Sequence, residues 1–578
     1  MLRPLMWIVR QPDAGVSAAL QAAGFSPFIS RLLALRHIDT PELARTYLNP
    51  PLRDLPDPHL LAGAQQAAER IARAIENKEK ICIYGDYDVD GISAAALLDD
   101  LFCRIGYPVS VFLPDRFRDG YGLHQRRLQE LCDQGVQLFI SVDCGTTAVA
   151  EIAAVRARGV DFIVVDHHSL GPVLPDATVL LNPQQDHCRY PDKHLCAVGV
   201  AFVLAQAVRR AIPDGKDIDI RPLLEFAALG TIADVVALRD VNRLLAWHGL
   251  RQLGQSQRLG IIALAALSPK PTSVSADRVG FGLGPHINAA GRVADPMSAF
   301  RLLRTCDAAE AETLAAQIDV DNNRRREAEK SALASALQQA HDQPGRQDAV
   351  IVAHADWHQG VVGIVAARLK DQFDVPALVL AIGADGFARG SGRSISGYNL
   401  VDGLAACNAD EFLEKFGGHA YAAGLTIRTE RIDTLRQRLT AHVAQALPLA
   451  ARKRELLVDA EVQVPDLTLA MLAELETLEP FGKDNPRPNF LLRGVQLTEL
   501  TVIGKDKNWA RGKLLQPGTQ AAWARLGIGV FGALALFADV KNEQYVDAVV
   551  RLERNDFKGR VSLQATALAL VPAGSTPV

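Results

Sequence analysis

The sequence predicts an α/β protein of several domains that ends in an all-β unit, and three observations predict it. Short apolar runs alternate with helical segments from residue 61 to about 200, the grammar of a parallel sheet flanked by helices. The alternation returns on a smaller scale over 347–450, beyond a polar, Ala-rich stretch at 308–346 that reads as one connector helix. From Leu456 onward short alternating runs separated by turns take over, as in an antiparallel barrel or sandwich. A chain of 578 residues has room for all of this, at about 100–200 residues per domain.

Composition narrows the function. The chain has 22% charged and 48% hydrophobic residues, an ordinary globular balance. Its formal charge of −4 argues against coating nucleic acid by bulk charge, so any anion site must be locally basic. The longest uncharged apolar stretch, Leu526–Ala538, is 13 residues with three glycines and reads as core, short of the ~18 that a membrane span needs. The N-terminal segment has no apolar signal core. The eight cysteines are scattered and read as reduced thiols, so a cytoplasmic location is expected.

In chain order, residues 1–60 are Pro-rich and weakly periodic, an N-terminal extension expected to wrap on the next domain. Leu61–Asn77 is helical, with apolar positions at Ala64, Ala67, Ala68, Ile71, Ala74 and Ile75. Strand-like runs follow at ICIY (81–84), VSVFL (109–113), LFISV (138–142) and DFIVV (161–165), separated by helical 93–102, 124–134 and 148–159. Helices dominate 197–265. The expected domains are therefore 61–307, the 308–346 connector, 347–450 and 451–578, with a Pro- and charge-containing boundary at 446–457.

The chemistry concentrates after the strands. GDYDVDG (85–91) places Asp86, Asp88 and Asp90 just past the first strand. Three carboxylates so close repel one another unless a cation sits among them. Asp143 follows the 138–142 strand, and Asp166, His167 and His168 follow the 161–165 strand. Parallel strands deliver such residues to one crevice. Asp234 lies in the otherwise apolar run ALGTIADVVAL (228–238), where an unpaired carboxylate is expensive to bury. Together Asp86, Asp88, Asp90, Asp143, His167, His168 and Asp234 are enough for two divalent cations, Mg²⁺ or Mn²⁺, about 3.5–4 Å apart. Such a pair is suited to phosphoryl transfer.

The order GDYDVDG, VDCG, VDHH, GTIADVV resembles the DHH phosphoesterase superfamily, whose Asp-His-His stands here at 166–168. LPDRFRDGYGL (113–123), NPQQDHCRYP (182–191), GPHINAAGR (284–292), HQGVVGIVAARL (358–369), GSGRSISGYNL (390–400), GGHAYAAG (417–424) and LEPFGKDNPRPNF (478–490) extend the resemblance to that superfamily's single-strand-specific exonucleases. One departure stands out: Pro285-His286 replaces an expected Pro-Arg. The resemblance implies that Asp86, Asp88, Asp90, Asp143, His167 and Asp234 ligate two metals, with Asp143 bridging. It implies that His168 lies against the scissile phosphate or behind the ligands, and that Asp90, Asp143 and His168 carry the catalysis.

It further implies that residues 347–450 form the DHH-associated substrate-binding domain and residues 451–578 an oligonucleotide-binding fold. In the former, the glycines of GSGRS would bring backbone amides to a phosphate beside Arg393 and Ser394, with His419 nearby. Arg116 and Arg292 are candidates for a terminal phosphate, and Tyr121 for stacking on a base. In the barrel, Lys483, Arg487, Arg493, Lys505, Lys507, Arg511 and Lys513 form a basic strip with Phe490 and Trp509, suited to tracking a single strand. The implied activity is 5′→3′ hydrolysis of single-stranded DNA to 5′-mononucleotides in repair and recombination. The implied enzyme is a monomer, working with single-strand-binding protein and a helicase and without a membrane. Action on short oligonucleotides or cyclic dinucleotides is the alternative, and a metal-free binding scaffold a third reading.

Overall fold

The computed structural model describes residues 5–120, 122–267, 274–343, 348–448, 455–503, 509–516, 525–531, 541–557 and 560–575. It divides into two compact units. One comprises Trp7–Asn288, Asp295–Ala315 and Glu455–Val578; the other comprises Met1–Met6, Ala289–Ala294 and Ala316–Arg454.

Strand β1 (Met6–Val9) is followed by helices Ala14–Ala22, Pro27–Ala34 and Pro41–Leu48. Asp13, Ser26 and Thr40 start them, each side chain accepting a hydrogen bond from a first-turn amide. Their Leu20, Ile29, Leu32, Leu33 and Ala44 lie in one core with Phe490, Leu492 and Val550 of the C-terminal region. The extension therefore does not simply wrap on the next domain. Its apolar side completes the core of the barrel, which is small enough to need added apolar surface.

The first sheet holds β2 (Ile81–Gly85), β3 (Ser110–Phe112), β4 (Leu138–Val142), β5 (Asp161–Val165) and β6 (Val179–Leu181). All are parallel, in the order β3-β2-β4-β5-β6. The expected strands are there; β6 is an addition, three residues long inside a Pro-containing stretch with little periodicity to betray it. The chain moves from β2 to β3 on one side, then crosses to β4 on the other. The β2/β4 gap is thus the switch point where such sheets open a crevice. Gly85, Val142 and Val165 are level in the ladder, so the residues after them stand side by side.

In the second unit β7 (Val350–His354), β8 (Ala377–Ile382), β9 (Phe387–Arg393), β10 (Lys415–His419) and β11 (Ala422–Arg428) form a sheet ordered β10-β11-β9-β8-β7. Only β7 and β8 are parallel. One face packs on helix Val362–Phe373 and on Ala332, Ala336 and Ala340 of the 35-residue helix Ala308–Asp342. The other packs on helices Leu400–Cys407 and Ile432–Ala446. Here one expectation fails. GSGRS is not a phosphate-cradling loop, because Gly390–Arg393 lies within β9 and pairs with both β8 and β11. The glycines serve packing: a Cβ on Gly392 would stand 2.3 Å from Leu378 Cδ2 and 2.7 Å from Leu400 Cδ2.

β12 (Glu455–Val458) pairs with β1. Beyond it, β13 (Ala460–Glu461), β14 (Phe490–Ile503), β15 (Trp509–Leu515), β16 (Arg525–Phe531), β17 (Gln544–Phe557) and β18 (Arg560–Pro572) form one sheet. The order β14-β15-β16-β18-β17 returns to β14, closing a five-stranded barrel. Register shifts at Leu492/Val495, Thr498/Thr501 and Val549/Val550 supply the curvature closure needs. Leu526 and Ile528 are core, as read from the sequence; residues 532–538 lie outside the described ones. Among the described residues no helix is long and apolar enough to cross a membrane.

Candidate metal centre

Asp86, Asp143 and Asp166 follow the level strand ends, and their amides continue the ladder to Val142, Val165 and Leu181 carbonyls. All three are buried. Asp88 caps helix Val89–Ile105, accepting from the Asp90 and Gly91 amides at 2.9 and 3.2 Å. Asp90, in the first turn of that helix, is buried and accepts from Ala197 N (2.7 Å) and Val198 N (2.9 Å) at the start of helix Ala197–Ala211. A helix N-terminus thereby fixes the carboxylate. Gly230 leaves it room, since a Cβ there would stand 2.7 Å from Asp90 Oδ1. Asp234 caps the C-terminal end of helix Leu224–Ala233 rather than lying within it.

These side chains converge. Asp86, Asp88 and Asp143 form one group of donor atoms within 4.8 Å, Asp90, His167 and Asp234 a second, and Asp143, Asp166, His167 and His168 a third. His167 Nε2 lies 3.2 Å from Asp143, 3.8 Å from Asp234 and 3.9 Å from Asp90. Buried Oδ1 atoms of Asp86 and Asp143 have no hydrogen-bond partner. A buried anionic oxygen without a donor is costly, and a divalent cation is the partner that oxygen clusters of this kind accept. The residues therefore fit the metals the sequence implies.

Electrostatics agree. Burial, then repulsion from Asp88, holds the Asp86 and Asp143 carboxyls well above the usual range. Burial and Asp88 push Asp90 up to about 7, and burial and Asp90 push Asp234 up to about 8. The adjacent imidazoles diverge. Burial, helped by the charge of His168, lowers His167 to about 4. Burial would lower His168 too, but its 2.7 Å hydrogen bond to Asp166 and that carboxylate's charge outweigh it and hold it at about 9. Burial opposes ionisation of Asp166, yet the same bond and the charges of both histidines hold its carboxyl well below the usual range.

Asp166 is the residue that sequence reasoning left out of its set. It also accepts from the amides of Thr146, His167 and His168, fixing the loop. Asn182 braces the same loop, donating to the His168 carbonyl at 2.9 Å and to Thr146 Oγ1 at 3.1 Å. Little in the sequence marks Asn182's role, because the short strand β6 that positions it has no clear periodicity.

The arginines divide. Arg116 is half-buried over the Tyr87 ring, 4.2 Å from its centroid, and its Nε is buried without an acceptor. Arg292 donates from Nη1 to the Gly360 carbonyl at 3.1 Å. Arg393 donates from Nη1 to Ser391 Oγ and to the Gly392 carbonyl, both at 2.8 Å. Its Nη2 lies where a Cβ on Gly363, in the first turn of Val362–Phe373, would come within 3.2 Å. Arg393, Ala422 and His419 stand in one row across β9, β11 and β10, and so share a sheet face. Ser394 is different: buried, its hydroxyl donates to the Tyr398 carbonyl at 2.8 Å. Tyr121 lies outside the described residues.

The basic strip is less continuous than the sequence implies. Arg487 pairs with Asp277 and Glu479, Arg493 with Glu461, and Lys513 with Glu499. Phe490 is fully buried, stacked with Phe28 at 5.9 Å, because it starts a barrel strand whose inner face is core. Lys505 and Lys507 lie outside the described residues, as does the side chain of Trp509. His286 is buried with Nδ1 2.7 Å from the Gly282 carbonyl, so it holds backbone rather than supplying an exposed cation.

Comparison with known proteins follows the same division. Family models match at residues 80–231 (DHH family, N-terminal domain), 347–445 (DHHA1 domain) and 458–568 (RecJ OB domain). The single-stranded-DNA-specific exonuclease RecJ of Bacillus subtilis is 39% identical over 506 residues, 87% of this chain; the match covers 63% of that protein's length. Its Escherichia coli counterpart is 32% identical over 580 residues, covering 96% of this chain and 97% of that one. RecJ of Thermus thermophilus, solved in complex with Mn²⁺, superposes with a TM-score of 0.82 at 29% identity, covering 99% of this chain and 80% of that one. Its Mg²⁺ complex gives 0.76 at 27%, covering 99% of this chain and 79% of that one.

Proposed function

This chain belongs to the RecJ family of exonucleases, and from that premise we propose that it hydrolyses single-stranded DNA from the 5′ end and releases 5′-mononucleotides. The pair of buried, donorless carboxylate oxygens on Asp86 and Asp143 carries the reading. Mg²⁺ or Mn²⁺ bound there supplies Lewis acidity toward the phosphodiester. Asp86, Asp88 and Asp143 would hold one cation and Asp90, His167 and Asp234 the other, with Asp143 at the junction. Neutral His167 suits a ligand.

The chain's own groups do the rest. The Ala197 and Val198 amides keep Asp90 aimed. Asp166 holds His168 as a cation, suited to meeting charge on the scissile phosphate. Arg116, whose charge acts on the Asp86 carboxyl, would take a neighbouring phosphate. Arg292 and Arg393 border the Gly360–Gly363 turn of the second unit, where two guanidinium groups suit a terminal phosphate dianion. His419 shares a sheet face with Arg393, and Ser394 drops out of the grip because its hydroxyl is already bonded. The closed barrel favours a polymer over a cyclic dinucleotide, since barrels of this kind track strands.

Digestion of 5′-labelled and 3′-labelled single strands in Mg²⁺ and in Mn²⁺ tests the proposal. Early release of labelled mononucleotide from the 5′ end is expected; early release from the 3′ end, or cleavage of a circular strand, would overturn it. The cellular setting proposed is the cytoplasm, in repair and recombination. The enzyme would be a monomer, with a helicase and single-strand-binding protein as partners, and their acceleration of digestion of a duplex tests that part.

A further inference from the structure

Phe281 is 82% exposed, more than any other large hydrophobic side chain described. It sits in a π-helical turn, Val279–Leu283, a rare conformation that concentrates at functional sites. The turn is anchored on both sides of the ring: Val279 and Leu283 are fully buried, and the Gly282 carbonyl accepts from His286. Gly280 and Gly282 flank Phe281, so neither sequence neighbour brings a side chain to cover the ring. A water-exposed aromatic held this firmly is unfavourable unless something covers it in use.

Its location says what would. A Cβ on Gly280 would lie 4.0 Å from Ile232 Cγ2, and one on Gly284 would lie 3.5 Å from Ala233 Cβ. Ile232 and Ala233 directly precede Asp234 of the candidate metal centre. Val235, directly after it, is 61% exposed with φ of 57°. A β-branched residue in the left-handed region is strained, and such strain gathers at binding sites. The 479–487 segment reaches the same place. Lys483 accepts the Leu238 amide at 2.9 Å through its carbonyl, and Arg487 pairs with Asp277 just before the π turn. The Lys483 side chain is exposed, and its ammonium charge reaches Asp234.

We infer that Phe281, Val235 and Lys483 form a nucleotide subsite beside Asp234, in which a base of the single strand stacks on Phe281 and an adjoining phosphate meets Lys483. The inference rests on the nuclease reading above and adds to it the residues that would hold a base next to the metal centre. An aromatic face beside a cation is what sequence-tolerant strand binding requires, because every base has a π-face and every nucleotide a phosphate.

The test uses the full chain in an Asp143→Asn background, so that the strand survives, and reads affinity by fluorescence anisotropy. Phe281→Ala is expected to weaken binding about 5–100-fold, and Phe281→Trp to restore it. A strand whose first few nucleotides lack bases should bind the Phe281→Ala variant and its parent within about twofold of each other, since the stacking partner is gone. Lys483→Ala should lower the slope of log K against log salt by about 0.7, whereas Phe281→Ala should leave it unchanged. Equal binding by Phe281→Ala and parent, or an equal loss on the base-free strand, overturns the subsite. The wild-type digestion assay separates the two levels: if wild type digests single strands while Phe281→Ala is unaffected, only the subsite falls. If wild type does not digest them, the nuclease reading falls first.

Discussion

The two sheets carry their candidate functional residues in opposite ways. In the parallel sheet, Asp86, Asp143 and Asp166 stand one residue beyond level strand ends, where the chain leaves the ladder and side chains can converge. In the mixed sheet, Arg393 and His419 belong to the strands themselves and project from a face, in one row across β9, β11 and β10. The first arrangement packs like charges together and leaves buried oxygens without donors. The second spaces its donors about 5 Å per strand and bonds Arg393 to its own strand. A strand-end crevice is thus a place to concentrate charge for a cation, and a sheet face a place to array donors along an anion.

The largest expected effect tests the first half of that contrast. Asp143→Ala should cut turnover by at least ~10³, since losing the junction of two cations forfeits several kcal/mol of charge stabilisation. In chelator, Asp143→Asn should raise the melting temperature instead, because the carboxylate is held among like charges. The pH sign follows. Asp143 has its carboxyl raised on folding, so the folded state binds more protons and metal-free stability should fall as pH rises. Calorimetry with and without Mn²⁺ checks both, and a chelated variant less stable than wild type would break the charge-concentration argument.

Arg393→Ala comes next. A charge-assisted contact is worth roughly 1.5–3 kcal/mol, so kcat/KM should fall ~10–150-fold while metal binding by calorimetry stays unchanged. Loss of metal together with activity would show Arg393 to be a structural residue.

The contrast also explains what could be read from the sequence. Strands β2, β4 and β5 are short apolar runs followed at once by acids, and that juxtaposition survives translation into structure because a strand end is a local event. Asp166 was legible as a position but not as a role: besides its bonds to the adjacent His167 and His168 it accepts from Thr146, on a loop 20 residues away that only the folded sheet brings alongside. GSGRS was misread because glycine marks both loops and crowded strands. Only Leu378 and Leu400, distant in sequence until the sheet forms, distinguish the second case. The gaps in the basic strip were hidden for a similar reason, since Arg493 and Lys513 find Glu461 and Glu499 only once the barrel closes.

A third prediction compares the two ends of one helix. Asp88 and Asp90 open Val89–Ile105 among other acids, while Asp100 near its far end meets Arg258 and Arg104, and also Arg304. Burial opposes ionisation of Asp100, but its bond to Arg258 and the charges of the arginines pull it down to about 2. A depressed carboxyl contributes stability above its unfolded value of 3.8 and loses it as pH falls toward about 2. The stabilisation is roughly 2 kcal/mol at neutral pH. Urea titrations of wild type and Asp100→Asn should therefore converge between about pH 4 and pH 2. A gap independent of pH would mean that Asp100 acts by packing alone.

The smallest effect separates two serines on either side of Arg393. Ser394 is buried and donates to the Tyr398 carbonyl, so Ser394→Ala should cost about 1 kcal/mol of stability and leave kcat/KM unchanged. Ser391 shares Arg393's sheet face, and its Oγ accepts from the guanidinium at 2.8 Å. It is half-buried beside the Val362–Phe373 helix start, within 3.2 Å of a Cβ placed on Gly363. Ser391→Ala should leave the melting temperature nearly unchanged but let the guanidinium drift, lowering kcat/KM about 2–10-fold through KM, as a lost neutral hydrogen bond of ~0.5–1.5 kcal/mol would. The alternation of a strand puts Ser391 and Arg393 on one face, while Ser394 lies just beyond the strand's last residue. If Ser394→Ala proves the more damaging to activity, the phosphate would have to approach the turn after β9 instead of the face of the sheet.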